Sequence, residues 1–190
     1  MAIRSFIAFP IPRDMANALG DLAAQMAYQD KSNAVRWVDQ ANYHVTLAFL
    51  GEQDERDLED LAELLDNHLP QTSLSISISH FSPFPESRPK LIAAMLERND
   101  TLLELQRTVN TAVASSAISI DKRRFKPHIT LGRFRHSKNH FAGAIPTSIN
   151  LSANITDVAI YESNLTPSGA EYEPIFRFPL DDYEFEFDEV

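Results

Sequence analysis

Apolar positions recur along the chain at two spacings, and these divide it into strands and helices. Positions 4–10 form a short apolar run that Ile11 and Pro12 interrupt, the pattern of a strand. From position 13 to 29, Met15, Leu19, Leu22 and Met26 recur at helical spacing. Positions 35–38 read as extended, and positions 43–49 as a strand stopped by Gly51. Positions 54–68 place Leu58, Leu61, Leu64 and Leu65 on one side of a helix that Pro70 terminates. Positions 74–78 alternate apolar residues with Ser, as a half-buried strand does. Pro83, Pro85 and Pro89 make positions 81–89 a loop, followed by a strand over 90–97. Asn99 and Asp100 open a third helix, with Thr101 and Glu104 at capping-box spacing and Leu102, Leu105, Val109 and Val113 as its apolar stripe. Strands are predicted over 128–134, 155–161 and 172–178, the last two joined by a turn at Pro167-Ser168-Gly169. Strands follow strands, with helices between the groups. That order predicts an α+β fold built on antiparallel sheets.

Composition narrows the chemistry. There is no cysteine, so disulfides, thiol nucleophiles and Cys-ligated metal are excluded together. No apolar run approaches the roughly 18 residues of a membrane span, and the first residues lack a signal-peptide pattern. A cytoplasmic protein is the expectation. The formal net charge of −10 argues against a generic basic coat for nucleic acid. The charge is unevenly spread. Positions 181–190 hold six acidic residues and read as an acidic tail to a domain spanning 1–180. Positions 122–140 carry Lys122, Arg123, Arg124, Lys126, Arg133, Arg135 and Lys138 with no acid, which is either a solvated loop or a site for an anion.

Inside that basic run lies a repeated pattern. Pro127-His128-Ile129-Thr130-Leu131-Gly132-Arg133 matches Tyr43-His44-Val45-Thr46-Leu47-Ala48-Phe49, close to half a chain length earlier. In a strand, His44 and Thr46 share one face, and Val45, Leu47 and Phe49 share the other. His128 and Thr130 likewise share a face, opposite Ile129 and Leu131. Each His sits roughly 6.6 Å along the strand from its Thr, so both can contact one small group. Two imidazoles suit a phosphodiester. One takes a proton from water and the other protonates the leaving oxygen, and both titrate near neutrality. The Thr hydroxyls can donate to the non-bridging oxygens. A single His-x-Thr on a strand is ordinarily structural; two copies in one register are not readily so explained. His136 and His140 have metal-compatible spacing but no third ligand. No cofactor or metal is expected.

With these signatures the chain resembles the two-histidine (2H) phosphoesterase superfamily, and within it the bacterial and archaeal RNA 2′,3′-cyclic phosphodiesterases, also called 2′-5′ RNA ligases. The segments carrying the resemblance are His44-Val45-Thr46-Leu47, His128-Ile129-Thr130-Leu131, and the flanks Phe6-Ile7-Ala8-Phe9, Arg36-Trp37-Val38 and Tyr161-Glu162-Ser163 to Tyr172. The resemblance implies a bilobal fold with pseudo-two-fold symmetry, one His-x-Thr-Leu signature per lobe and a cleft between them. It implies metal-independent hydrolysis of a terminal 2′,3′-cyclic phosphate to a 2′-phosphate, with His44 as proton donor, His128 as proton acceptor, and Thr46 and Thr130 on the phosphate. The expected partner is an RNA or oligonucleotide end bearing that group, met by a monomer. Family members often carry Arg at the position of Arg133. Strand parity points Arg133 away from the groove, while Gly132 would permit a bulge that returns it to the phosphate. Arg124, Lys126 and Arg135 are candidate RNA contacts, and Phe84 a candidate base-stacking residue. On parity, Tyr43 and Phe49 belong to the core. The alternatives are ligation by the reverse reaction, another 2H activity on a small cyclic nucleotide or ADP-ribose derivative, a non-catalytic binder of RNA ends, and a His-ligated metallohydrolase.

Overall fold

The computed structural model describes residues 2–119, 124–136, 140–147, 149–166 and 169–180. The acidic tail at 181–190, Lys122, Arg123, Lys138 and the turn residues Pro167 and Ser168 lie outside them.

The elements follow in the order β1 (Ile3–Pro10), α1 (Arg13–Gln29), β2 (Val35–Trp37), β3 (His44–Gln53), α2 (Glu55–His68), β4 (Leu74–Phe84), β5 (Leu91–Leu96), α3 (Asp100–Ser115), β6 (His128–Phe134), β7 (Ser152–Ile155), β8 (Asp157–Thr166) and β9 (Gly169–Pro179). They form two antiparallel sheets, ordered β3-β1-β8-β9 and β2-β6-β5-β4-β7. Strand–helix–strand units carry both signatures: β1, α1 and β3 in the first sheet, β5, α3 and β6 in the second. In each, the signature strand pairs with the strand that precedes the helix. The α+β, two-sheet, pseudo-symmetric fold expected from the sequence is the fold observed.

The helices bury the stripes their periodicity marks: Met15, Leu19 and Met26 of α1, Leu58, Leu61 and Leu65 of α2, Leu102, Leu105, Val109 and Val113 of α3. With Ile7, Phe9, Val45, Leu47, Ile129 and Leu131 they make one core. A second, smaller cluster of Phe6, Ala8, Ala159 and Tyr161 lies on the opposite face of the first sheet.

Three sequence expectations are corrected. The Pro-rich segment is not all loop, since β4 runs on to Phe84. Pro83 is tolerated because β7 pairs only with residues 74–77, leaving an open edge beside it. The apolar stretch at 155–161 is two strands, broken at Thr156, that join different sheets. The cap of α3 is Asn99, whose Oδ1 accepts the Leu102 N–H at 2.8 Å, in place of the Thr101–Glu104 box.

Candidate active site

Ladder registers fix which side chains share the groove. On β6, His128, Thr130 and Arg133 pair with Met95, Ala93 and Leu91 of β5. Those partners alternate along β5, so the three side chains project from one face. Leu131 is an extra residue between the Ala93–Thr130 and Ile92–Gly132 pairs. This bulge reverses the parity that pointed Arg133 away, and Gly132 is where it is accommodated. β3 repeats the arrangement. His44, Thr46 and Phe49 pair with Pro10, Ala8 and Phe6, again alternate residues, and Leu47 is the extra one. Phe49 is therefore 54 % exposed on the groove face rather than packed in the core, a correction to its parity assignment. Tyr43 is buried as expected.

The two imidazoles are held identically. His44 Nδ1 donates to the Asn42 carbonyl and His128 Nδ1 to the Lys126 carbonyl, each at 2.7 Å. Each bond fixes the neutral tautomer and leaves Nε2 as the free nitrogen. Their surroundings differ. The His44 ring lies among Phe6, Tyr161 and Tyr172, at centroid distances of 5.1, 6.5 and 5.0 Å. The His128 ring lies against Phe84 at 4.6 Å.

Electrostatics tie the halves together. Burial pushes His44 from 6.5 down to about 4; the Asn42 carbonyl opposes the shift, and the positive charges of Arg133 and His128 deepen it. His128 is also pushed down, by burial first, with the Lys126 carbonyl opposing and Arg133 adding to the shift. The positive charge of Arg133 thus acts on both histidines.

Thr46 and Phe49 of the first half and His128 and Phe84 of the second line one cavity of about 160 Å³. A cavity of roughly 150 Å³ holds a benzene-sized ring in other proteins. Arg124 and Lys126 are on its wall, as are Gln106 and Asn110 of α3. Neither the Thr46 nor the Thr130 hydroxyl has a hydrogen-bond partner among the described residues, so both are available to a ligand. Arg135 is directed elsewhere, its Nη2 donating to Asn33 Oδ1 at 3.3 Å. Sequence reasoning missed Phe49, Gln106, Asn110 and the aromatic box around His44. Tyr161 and Tyr172 were legible only as flanks of the family pattern. No group of three metal-ligating side chains occurs among the described residues, and no helix there is long and apolar enough to cross a membrane.

Comparison with known proteins gives the chain a family. The chain is 29 % identical over 184 residues to the RNA 2′,3′-cyclic phosphodiesterase of Bacillus subtilis (strain 168), covering 92 % of this chain and 95 % of that protein. It is 26 % identical over 180 residues to the protein of the same name from Thermotoga maritima, covering 92 % and 94 %. The crystal structure of Escherichia coli LigT complexed with 3′-AMP superposes with a TM-score of 0.78 at 24 % identity, covering 95 % of this chain and 99 % of that one. The family model of the LigT-like phosphoesterases matches residues 9–93 and 95–172, and the chain belongs to that family.

Proposed function

We propose that this protein is an RNA 2′,3′-cyclic phosphodiesterase that hydrolyses a terminal 2′,3′-cyclic phosphate to a 2′-phosphate by two-histidine acid–base catalysis. One observation carries the reading. Two His-x-Thr signatures, on β3 and β6, each have Nδ1 donating to the carbonyl two residues back, which leaves both Nε2 atoms free for proton transfer. The relatives named RNA 2′,3′-cyclic phosphodiesterase support the substrate class.

In this mechanism His128 Nε2 accepts a proton from water as the water oxygen bonds to phosphorus. The P–O3′ bond breaks, and protonated His44 Nε2 delivers its proton to O3′. The 2′ oxygen keeps the phosphate. Thr46, Thr130 and Arg133 donate to the non-bridging oxygens, where charge builds in the transition state. Burial by itself favours the neutral form of His44. The phosphate anion supplies the opposite charge that lets the pair hold a proton. The terminal base lies in the cavity beside His128, against Phe49 and Phe84, with Arg124 and Lys126 toward the RNA backbone. The catalytic unit is a single bilobal domain over 1–180, acting as a monomer in the cytoplasm. Light scattering on the purified protein checks the monomer.

The experiment is incubation of the full chain with an RNA ending in 2′,3′-cyclic phosphate, with chelator present. The expected product is the 2′-phosphate. A 3′-phosphate would reverse the roles of the two histidines. No hydrolysis, with or without chelator, would overturn the reading.

A further inference from the structure

β2 is three residues long and has one exposed side chain, Arg36. Its register on β6 pairs Val35 with Phe134, Arg36 with Arg133 and Trp37 with Gly132. Directly paired residues of an antiparallel ladder project to the same face. Arg36 therefore emerges on the groove face beside Arg133, one strand further out, at the edge of the sheet.

That register is firmly held. Val38 N–H donates to the Leu131 carbonyl at 2.9 Å, and Arg135 N–H to the Ala34 carbonyl at 2.9 Å, closing both ends of the pairing. A Cβ at Gly132 would run into Val35 Cγ1 and the Trp37 ring. The absence of a side chain there is what lets β2 lie flat on β6.

The result is two like charges set opposite each other, an arrangement that is destabilising by itself. The chain has 27 acidic residues against 17 basic ones. Yet neither arginine has an ion-pair or side-chain hydrogen-bond partner among the described residues, where the one salt bridge is Arg177 to Asp157. Two paired arginines in an acidic protein, on the groove face of the sheet and without a protein partner among the described residues, fit an anion that comes from outside.

We propose that Arg36, one strand outward from Arg133, binds the internal phosphodiester immediately 5′ of the terminal nucleotide, so that the preferred substrate is an oligonucleotide rather than a cyclic mononucleotide. The proposal rests on the phosphodiesterase reading. The scissile phosphate already has Thr46, Thr130 and Arg133. A further cation one strand outward meets the next negative charge along the chain. A planar fork of donors suits a phosphodiester better than a point charge does.

The test compares kcat/KM for adenosine 2′,3′-cyclic phosphate and for a diadenylate ending in 2′,3′-cyclic phosphate, in the natural protein, Arg36→Gln and Arg36→Lys. In Arg36→Gln the ratio of dinucleotide to mononucleotide kcat/KM falls by about tenfold, the scale of one hydrogen bond to a charged group. Arg36→Lys recovers part of the loss. The dinucleotide's dependence of log kcat/KM on log salt becomes shallower by about 0.7, the release expected for one phosphate contact on a single strand. An unchanged ratio, whether both substrates suffer equally or neither does, overturns the proposal. If the natural protein cleaves neither substrate, the phosphodiesterase reading has failed on its own. Binding of a diadenylate 3′-phosphate then decides, since equal affinity in Arg36→Gln and the natural protein overturns the role of Arg36.

Discussion

Phe49 and Arg133 occupy equivalent places in the two halves of the cleft: each lies five residues beyond its histidine, and each is turned onto the groove face by an extra residue at the preceding leucine. The backbone device is duplicated and the side chain is not. One half gains an exposed aromatic ring and the other a cation. A nucleotide end is itself built of a flat base and an anion, so the same bulge serves two kinds of contact.

Removing the ring tests this division. Phe49→Ala lowers kcat/KM on a cyclic-phosphate substrate by about tenfold, within the roughly 1–3 kcal/mol that stacking one base contributes. Because Phe49 is 54 % exposed, the urea midpoint moves little. Equal activity of Phe49→Ala and the natural protein on such a substrate would remove Phe49 from the site.

The histidines act as a unit in the proposed mechanism. His44→Ala and His128→Ala each lower kcat by at least about 10²-fold, the lower end of what one positioned acid or base supplies. The double variant is little worse than the worse single one, because a step that has lost its base gains little from its acid. Single-turnover rates on an RNA ending in cyclic phosphate measure all three. Multiplicative losses would mean that the two side chains do not work in one step.

Much of this was legible in the sequence, for reasons tied to particular residues. His44, Thr46, His128 and Thr130 could be found because strand alternation is local and the pattern occurs twice. Arg133 and Phe49 could not be oriented, because the bulges at Leu47 and Leu131 exist only relative to partner strands far along the chain. Gly132 hinted at the second bulge; nothing local marks the first. The division at Thr156 was hidden for a related reason. Apolar residues continue across it, and only sheet membership separates β7 from β8. Gln106 and Asn110 sit on the exposed side of a helix stripe, where polar residues ordinarily face solvent.

Burial of His44 predicts a pH dependence of stability. The folded protein holds its pKa near 4 against the ordinary 6.5. Between those values the unfolded chain binds more protons than the folded one, so stability rises with pH across the window and falls as pH drops from 6.5 toward 4. His128, also pushed down, adds in the same direction. His44→Gln removes its share of the slope. Urea midpoints at pH 7 and pH 5 check this, the difference being smaller in His44→Gln. An identical difference in both proteins would mean that His44 is not held neutral by the fold.

The same shift predicts proton uptake when an anion fills the cleft. A phosphate beside His44 and His128 favours their charged forms and raises both pKa values, so affinity for inorganic phosphate declines as pH rises through the range where the bound histidines lose their protons. Calorimetry of phosphate binding in two buffers of different ionisation enthalpy, near pH 7, counts the protons taken up. Uptake that disappears in the His44→Gln, His128→Gln double variant assigns it to this pair. Uptake that persists there would place the titrating group elsewhere.

Gly132 links β6, the strand of the second His-x-Thr signature, to the strand that carries Arg36, and its replacement is a stringent test of that link. In Gly132→Ala the new methyl group meets Val35 and Trp37. Overpacking of this kind typically destabilises by about 1–3 kcal/mol, which a urea midpoint reads directly. The methyl group points to the core face of β6, where Val35, Ile92 and Ile129 are fully buried, so the strain falls on packing rather than on the groove. Displacement of β2 removes Arg36 from its place opposite Arg133, so in the folded fraction the loss of kcat/KM is larger on a dinucleotide than on a cyclic mononucleotide. A methyl group that is tolerated with full stability would show that β2 does not depend on the gap at Gly132 for its register.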